Sequence, residues 1–395
     1  MDGSASSDFA FSTESWHPDK NFISRVRIAY RIGVSHYEQP ADTMWNVIDE
    51  AHRREIHDAL LSKEDDDSTL RDLLGSPSKT ALNYGLDTLS SVSVGPLKTN
   101  PKVRAQVEDT ILKHIGGMLD TIGARNLAYP ENGTMSEAIE SDQVLALLDK
   151  RLGFSPSFPN PFEDEFGFRT KRGLIAFKVP MAISQAYLLG RLAKIVGGSK
   201  VLEIGPGVGR TAFYARQAGF TDYTTVDTPF GIVAQACWLA GTLGANSIWL
   251  PGDEPELSPG RIRLFLPHML GQEDFDIVLN ADSFTEMPIE QAKDYFVFCA
   301  QHCRALLSIN HEANSFQVRE LPGTVGVTLE PIRSISTIRL GYVDEIFFFN
   351  AHRLFEERER LRAQIADMQG STSWKITAPL RAMRQRLSRL YDQVM

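Results

Sequence analysis

The chain has 395 residues, 43% of them hydrophobic and 23% charged, a globular composition with length for a large core and a second domain. A net charge of −9 offers no basic field for nucleic acid, and three cysteines are too few for a disulfide framework or a four-cysteine zinc site. The opening "MDGSASSDFAFSTESWHPDK" has neither the basic nor the apolar region of a signal peptide, and no window is apolar enough to span a bilayer, so a cytoplasmic protein is expected.

From Trp16 to Leu152 the apolar residues recur three and four apart, as in "MWNVIDEAHRREIHDALL" and "VRAQVEDTILKHIGGMLDTIG", which predicts helices. "KEDDDST" reads as a charged loop entering a helix, and "GFSPSFPNPFEDEFGF" as a linker, placing a boundary near Asn160. A helix, "VPMAISQAYLLGRLAKIVG", follows. Strands and helices then alternate, with strands at "KVLEIG", "YTTVD", "SIWLP", "FDIVLN" and "ALLSIN". That order predicts an α/β domain over 161–350, built on a mostly parallel sheet with helices on both faces. "RSISTIRL" and "DEIFFFN" read as a closing antiparallel hairpin, giving seven strands in all.

In the tail, 351–395, Leu354, Leu361, Ile365 and Met368 have the spacing of a short coiled-coil contact, which suits a homodimer. Beyond Gly370 a basic amphipathic pattern carries Lys375, Arg381, Arg384, Arg386 and Arg389. It reads either as a terminal helix docked on the body or as a surface for acidic membrane or a partner, which allows peripheral attachment at the inner membrane face.

"VLEIGPGVGR" runs from a strand through Gly205, Gly207 and Gly209 into a helix, whose N-terminal amides can meet a carboxylate or phosphate. A dinucleotide turn would place a small residue where Arg210 stands, which argues against nicotinamide. The pattern Glu203-x-Gly-x-Gly-x-Gly, with Asp227 ending the next strand, instead resembles the first two motifs of class I S-adenosylmethionine methyltransferases. The resemblance implies a Rossmann-like domain in which Glu203 and the glycines surround the methionine end of S-adenosylmethionine. It also implies that Asp227 accepts from the ribose hydroxyls and that Asp253, in "LPGDEP", holds the adenine.

"LNADSFTEM", "LSINHE" and "FGFRTKRGLI" narrow the likeness: the chain resembles the sugar O-methyltransferases found with bacterial glycan assembly genes. This covers most of residues 70 to 350. Pro206 and Val208 depart from the more polar glycine loop of that group. "STSWKITAPLRAM" resembles a segment at the ends of bacterial glycosyltransferases, which favours glycan chemistry.

Pro288 suits the first turn of a helix, so Asn280 to Met287 are expected in a loop facing the transferable methyl. A hydroxyl is a poor nucleophile until a base takes its proton. His311 at a strand end, Asp282 and Glu286 are the candidates for that role, and the acids could also hold a divalent cation, a question left open because no spaced ligand motif is present. Arg169, Lys171 and Arg172 could bind a phosphate or acid on an activated sugar. Tyr84 and Asp87 of "NYGLD" recur in the resembling group and would wall the acceptor. The sequence thus supports methyl transfer to a sugar, sugar nucleotide or glycan, with two rivals: methylation of a small natural product, and a non-catalytic scaffold for glycan assembly.

Overall fold

The structure is a computed structural model that describes residues 8–37, 43–62, 67–125, 139–254, 260–349 and 367–368. By internal contacts the chain divides into two units, Met1–Phe347 and Phe348–Met395. The coiled-coil and basic-tail expectations fall outside the described residues, apart from Met368.

The first unit begins with a short strand, β1 (Phe9–Phe11), and helices α1 (Lys20–His36), α2 (Met44–His52), α3 (Arg54–Leu61), α4 (Asp67–Gly75), α5 (Ser91–Thr99), α6 (Pro101–Thr121) and α7 (Ser141–Leu152). "MWNVIDEAHRREIHDALL" forms two helices, with a break at Arg53 (φ −110°, ψ 7°). That side chain is buried and bonded to Asp49 and to the carbonyls of Ala81 and Tyr84, so long-range bonds accompany the interruption of the pattern.

Next come β2 (Phe166–Thr170) and β3 (Gly173–Ala176), which join β1 in an antiparallel sheet ordered β1-β2-β3. The irregular stretch before β2 is tied down: Asn160 bonds Leu174 at both its backbone N–H and its carbonyl.

The main body follows as α8 (Val179–Val196), β4 (Val201–Ile204), α9 (Arg210–Gln217), β5 (Tyr223–Val226), α10 (Pro229–Leu243), β6 (Ile248–Trp249), β7 (Ile262–Phe265), β8 (Phe275–Ala281), α11 (Ile289–His302), β9 (Cys303–His311), α12 (Leu321–Thr324), β10 (Ile332–Ile335) and β11 (Tyr342–Phe348). The sheet is ordered β10-β11-β9-β8-β4-β5-β7-β6, with parallel pairing from β6 through β9 and an antiparallel pair of β10 and β11. Among the described residues the sheet has eight strands, not seven. "IRLF" supplies the additional one, β7, which takes the place beside β5 and leaves "IW" at the edge as β6. Arg263 in its middle hides the apolar run, and its guanidinium is neutralised by Glu273 and Asp222.

Strands β4 and β5 are buried at every position, as expected of parallel strands covered on both faces. Helix α10 is apolar nearly all round, which demands burial on every side. Helix α1 covers one side, with Gly33 so close to Pro229 that a Cβ there would lie 2.9 Å from the proline Cβ, and with the Tyr30 and Phe230 rings 5.1 Å apart. The N-terminal helices therefore pack directly on the sheet's own helix layer.

Candidate active site

After β4 the chain goes to one side of the sheet, and it returns at β8 on the other side of β4. Such a reversal opens a crevice beyond the carboxyl ends of the strands. A cavity of about 310 Å³ lies there, lined by the ends of β4, β5 and β8, by α8, and by parts of the N-terminal region that include Trp45 and Arg53.

The glycine turn forms its floor. Gly205, Gly207 and Gly209 have φ of 67°, 61° and 86°, left-handed values that favour glycine. Space imposes the same choice at Gly205, where a Cβ would lie 2.3 Å from Ser283 Oγ. Gly205, Gly207 and Glu203 line the cavity, whereas Gly209 serves as the N-terminal cap residue of α9. Glu203 is buried, accepts from Tyr223 Oη at 2.8 Å, and has its pKa pushed up to about 7 by burial.

Asp227 closes β5 and also lines the cavity. It accepts from the Thr228 N–H at 2.7 Å and from Gln235 Nε2 at 2.9 Å. Burial raises its pKa to about 7 despite these bonds.

At the end of β8 the expected residues separate into different roles. Asn280 is fully buried and does not line the cavity: its Nδ2 donates to the Ile204 carbonyl at 3.1 Å, and its Oδ1 accepts from Asn310 at 2.8 Å. It braces the strand beneath the glycine turn rather than offering itself to a ligand. Asp282 does line the cavity, at a positive φ of 72°. Arg339 and Lys178 engage its carboxylate at 2.7 and 3.4 Å. Burial would raise the pKa of Asp282, but the two cations hold it below the usual carboxylate value.

Glu286 shares that wall, and its carboxyl makes no hydrogen bond or ion pair among the described residues. Burial first, and the neighbouring Asp282 charge second, raise its pKa to about 7.

Other expected residues lie elsewhere. Asp253 is absent from the cavity: it pairs with Arg25 at 2.9 and 2.6 Å and accepts from the Leu250 N–H at 2.9 Å, fixing the turn after β6. Because β7 is the strand beside β5, Pro267 after β7 occupies the position Asp253 was expected to fill. His311 does not line the cavity either. Its ring packs edge-on to Tyr342 at 5.0 Å, and its Nδ1 accepts from the Ala313 N–H at 3.2 Å, the arrangement of a loop anchor.

Arg172 is held bidentately by Asp149 at 2.6 and 2.5 Å, Lys171 pairs with Asp142 at 3.1 Å, and Arg169 uses its backbone N–H to bond Asp8. None of the three lines the cavity. Tyr84 does not line it, while Gly85, Leu86 and Asp87 of the same "NYGLD" segment do. Asp87 accepts from Arg210 Nε at 2.7 Å, and Arg210 also binds Glu165. The Arg210 charge, with help from Lys178, holds Asp87 below its usual value against burial, while Glu165 stays raised by burial. The residue that spoke against a dinucleotide turn therefore anchors the segment above the glycines.

Sequence reasoning missed Lys178, Arg339, Trp45, Arg53 and Gln185, all of which line the cavity. They come from separate elements and share no local motif. Among the described residues no group of three or more His, Cys, Asp or Glu is placed to hold a metal ion.

No protein-family model matches the chain, and no curated protein matches it. Similar solved structures include magnesium protoporphyrin IX methyltransferase from Synechocystis PCC 6803 with bound SAM. It is 15% identical, covering 54% of this chain and 98% of that one with a TM-score of 0.29. The methyltransferase domain of bacterial CtHen1 is 14% identical over 42% of this chain and 99% of that one, with a TM-score of 0.30. An O-methyltransferase family protein from Burkholderia thailandensis is 13% identical over 44% of this chain and 59% of that one, with a TM-score of 0.28. Likeness this low assigns no chemistry to this chain. No helix of the described residues is long and apolar enough to cross a membrane.

Proposed function

We propose that the chain is an S-adenosylmethionine-dependent O-methyltransferase acting on a sugar hydroxyl in a polysaccharide or glycan precursor. The observation that carries this reading is one cavity combining a left-handed glycine turn, Asp227 at the next strand end, and an unpaired Glu286 with a pKa near 7.

The lining fits the cofactor. A carboxylate has about four lone-pair sites; the Thr228 N–H and hydroxyl and the Gln235 amide engage Asp227, which leaves room for a ribose hydroxyl. Glu203, Gly205 and Gly207 would flank the amino-acid end, and Pro267 the base. Bound there, S-adenosylmethionine supplies an electrophilic methyl group.

The remaining work belongs to the chain. Glu286 takes the proton of the acceptor hydroxyl, a task for which a pKa near the working pH is suited. Asp282 stays ionised beside it, fixed by Arg339 and Lys178, and keeps Glu286 basic through its charge. His311 lies outside the cavity, so Glu286 replaces it as the base in this reading. The sugar acceptor is supported by the sequence likeness at "LNADSFTEM" and "LSINHE".

Calorimetric titration of the full chain with S-adenosylmethionine, S-adenosylhomocysteine and NAD tests the cofactor. Saturable binding of the two sulfur compounds alone is expected, and binding of neither overturns the reading. Methyl transfer to sugar nucleotides and oligosaccharides, but not to free phenols, is then expected. The reverse preference would favour a natural-product acceptor.

A further inference from the structure

Lys178, just before α8, and Arg339, just before β11, meet at the cavity wall on a single carboxylate, that of Asp282. Arg339 Nη1 donates to both of its oxygens, and the Lys178 ammonium donates to Oδ2. The guanidinium is committed further: Nη2 donates to Tyr342 Oη, and its central carbon lies 3.5 Å from the centre of the Tyr342 ring. Two cations from separate elements converging on one point can bind a carboxylate or phosphate brought by a ligand. Here the chain supplies that carboxylate itself. Asp282 does so from a left-handed backbone, φ 72°, a conformation uncommon outside glycine but tolerated by aspartate and asparagine.

The other cations lining the cavity are occupied in the same way. Arg53 pairs with Asp49 and bonds the carbonyls of Ala81 and Tyr84, and Arg210 pairs with Asp87 and Glu165. Five carboxyls line the cavity against these four cations, so an anion on the acceptor would meet a surplus of acid and no lining cation without a carboxylate. It would also stand beside Glu286, whose ionisation the Asp282 charge already opposes. A second anion there would hold the proposed base in its protonated form.

We infer that the sugar ring entering this cavity carries no carboxylate or phosphate, and that Asp282 enforces the choice by filling the anion site that Arg339 and Lys178 would otherwise offer. The inference rests on the hydroxyl-methylating reading above and narrows its acceptor to a sugar without acidic groups. A phosphate on a carrier has to remain outside the cavity. Like charges brought together reject a ligand strongly, so one built-in carboxylate is enough to set the preference.

The test uses the full chain saturated with S-adenosylhomocysteine at pH 8, where Glu286 is ionised. It measures binding of methyl glucoside, galactoside and mannoside and of the matching uronates by ligand-observed NMR. At least one neutral pyranoside should bind, and its uronate should bind roughly tenfold or more weakly. Asp282→Asn keeps the shape and the backbone preference, removes the charge and frees both cations. In that variant the uronate should gain on its neutral parent by roughly tenfold or more. Adding Arg339→Gln should remove most of the gain, since the guanidinium is what the uronate then meets.

Wild-type binding of a uronate as tight as that of its neutral parent, or tighter, overturns the inference, a comparison that needs no variant. So does an unchanged ratio of the two in Asp282→Asn, or a gain that persists in full without Arg339. Failure of every pyranoside and uronate to bind while S-adenosylhomocysteine binds also overturns it, with the cofactor reading intact. Failure of S-adenosylhomocysteine itself removes the methyltransferase reading and this inference together.

Discussion

Arg339 Nη1 donates to both carboxylate oxygens of Asp282, at 2.7 Å each, linking the turn before β11 to the loop after β8. The pair controls a third group. Asp282 raises the pKa of Glu286, whereas Arg339 and Lys178 lower it.

Opposite charge changes should therefore move the same pH profile in opposite directions. Arg339→Gln removes a cation that favours ionised Glu286, so the ascending limb of kcat/KM, near pH 7 in the wild type, should shift upward. Asp282→Asn removes an anion that disfavours it, and the limb should shift downward. Movement of both variants in one direction would separate the limb from Glu286.

Glu286→Gln should lower kcat by roughly 10²-fold or more with S-adenosylhomocysteine affinity preserved. His311→Ala should stay near wild type, since that ring only packs on Tyr342 and anchors Ala313. The inverse outcome would restore His311 as the base.

Asp227 supplies a pH test of cofactor binding. Its pKa is raised to about 7 by burial, so below that pH the carboxyl carries a proton that must leave before the free carboxylate can accept from the ribose. Affinity for S-adenosylhomocysteine should rise from pH 6 to pH 8. The part of the slope due to Asp227 should vanish in Asp227→Asn, which should also bind more weakly. Asp253→Ala, by contrast, should leave affinity unchanged because its partners are Arg25 and Leu250. A strong loss there would return Asp253 to the site.

The parts of the site that were legible in the sequence are those one strand and its following turn can encode. Glu203, the glycines and Asp227 stand in short runs where the strand pattern and the turn chemistry agree, and the structure brings Glu203, Gly205, Gly207 and Asp227 together. Asp253 falls outside the cavity because strand order is not local: β7 is a four-residue strand with a charged centre, and only its pairing with β5 reveals that it comes between β5 and β6. His311 falls outside it because a strand end fixes position along the sheet, not the face or crevice that a ring enters. Lys178 and Arg339 were invisible, since their meeting at Asp282 spans 104 and 57 residues of sequence.

Arg210 carries the last prediction. It is 4% exposed and ion-paired with Asp87 and Glu165, which are also buried. Its partners come from the segment above the glycine turn and from the start of β2, so one guanidinium joins three parts of the fold. Asp87→Ala keeps the Arg210–Glu165 pair and should cost less in denaturant unfolding than loss of the cation. Arg210→Met leaves two buried acids without their cation and should destabilise the chain by about 3–5 kcal/mol. In that variant Glu165, already raised by burial, should take up a proton first, so the destabilisation should be smaller at pH 5 than at pH 8. The sign follows from the folded state holding more protons than the unfolded one between those values, which favours folding as pH falls. Replacing all three by apolar residues of similar volume should recover much of the loss, since no charge then remains buried. A triple variant no more stable than Arg210→Met would mean that the network acts through specific geometry above the glycine turn rather than through charge balance.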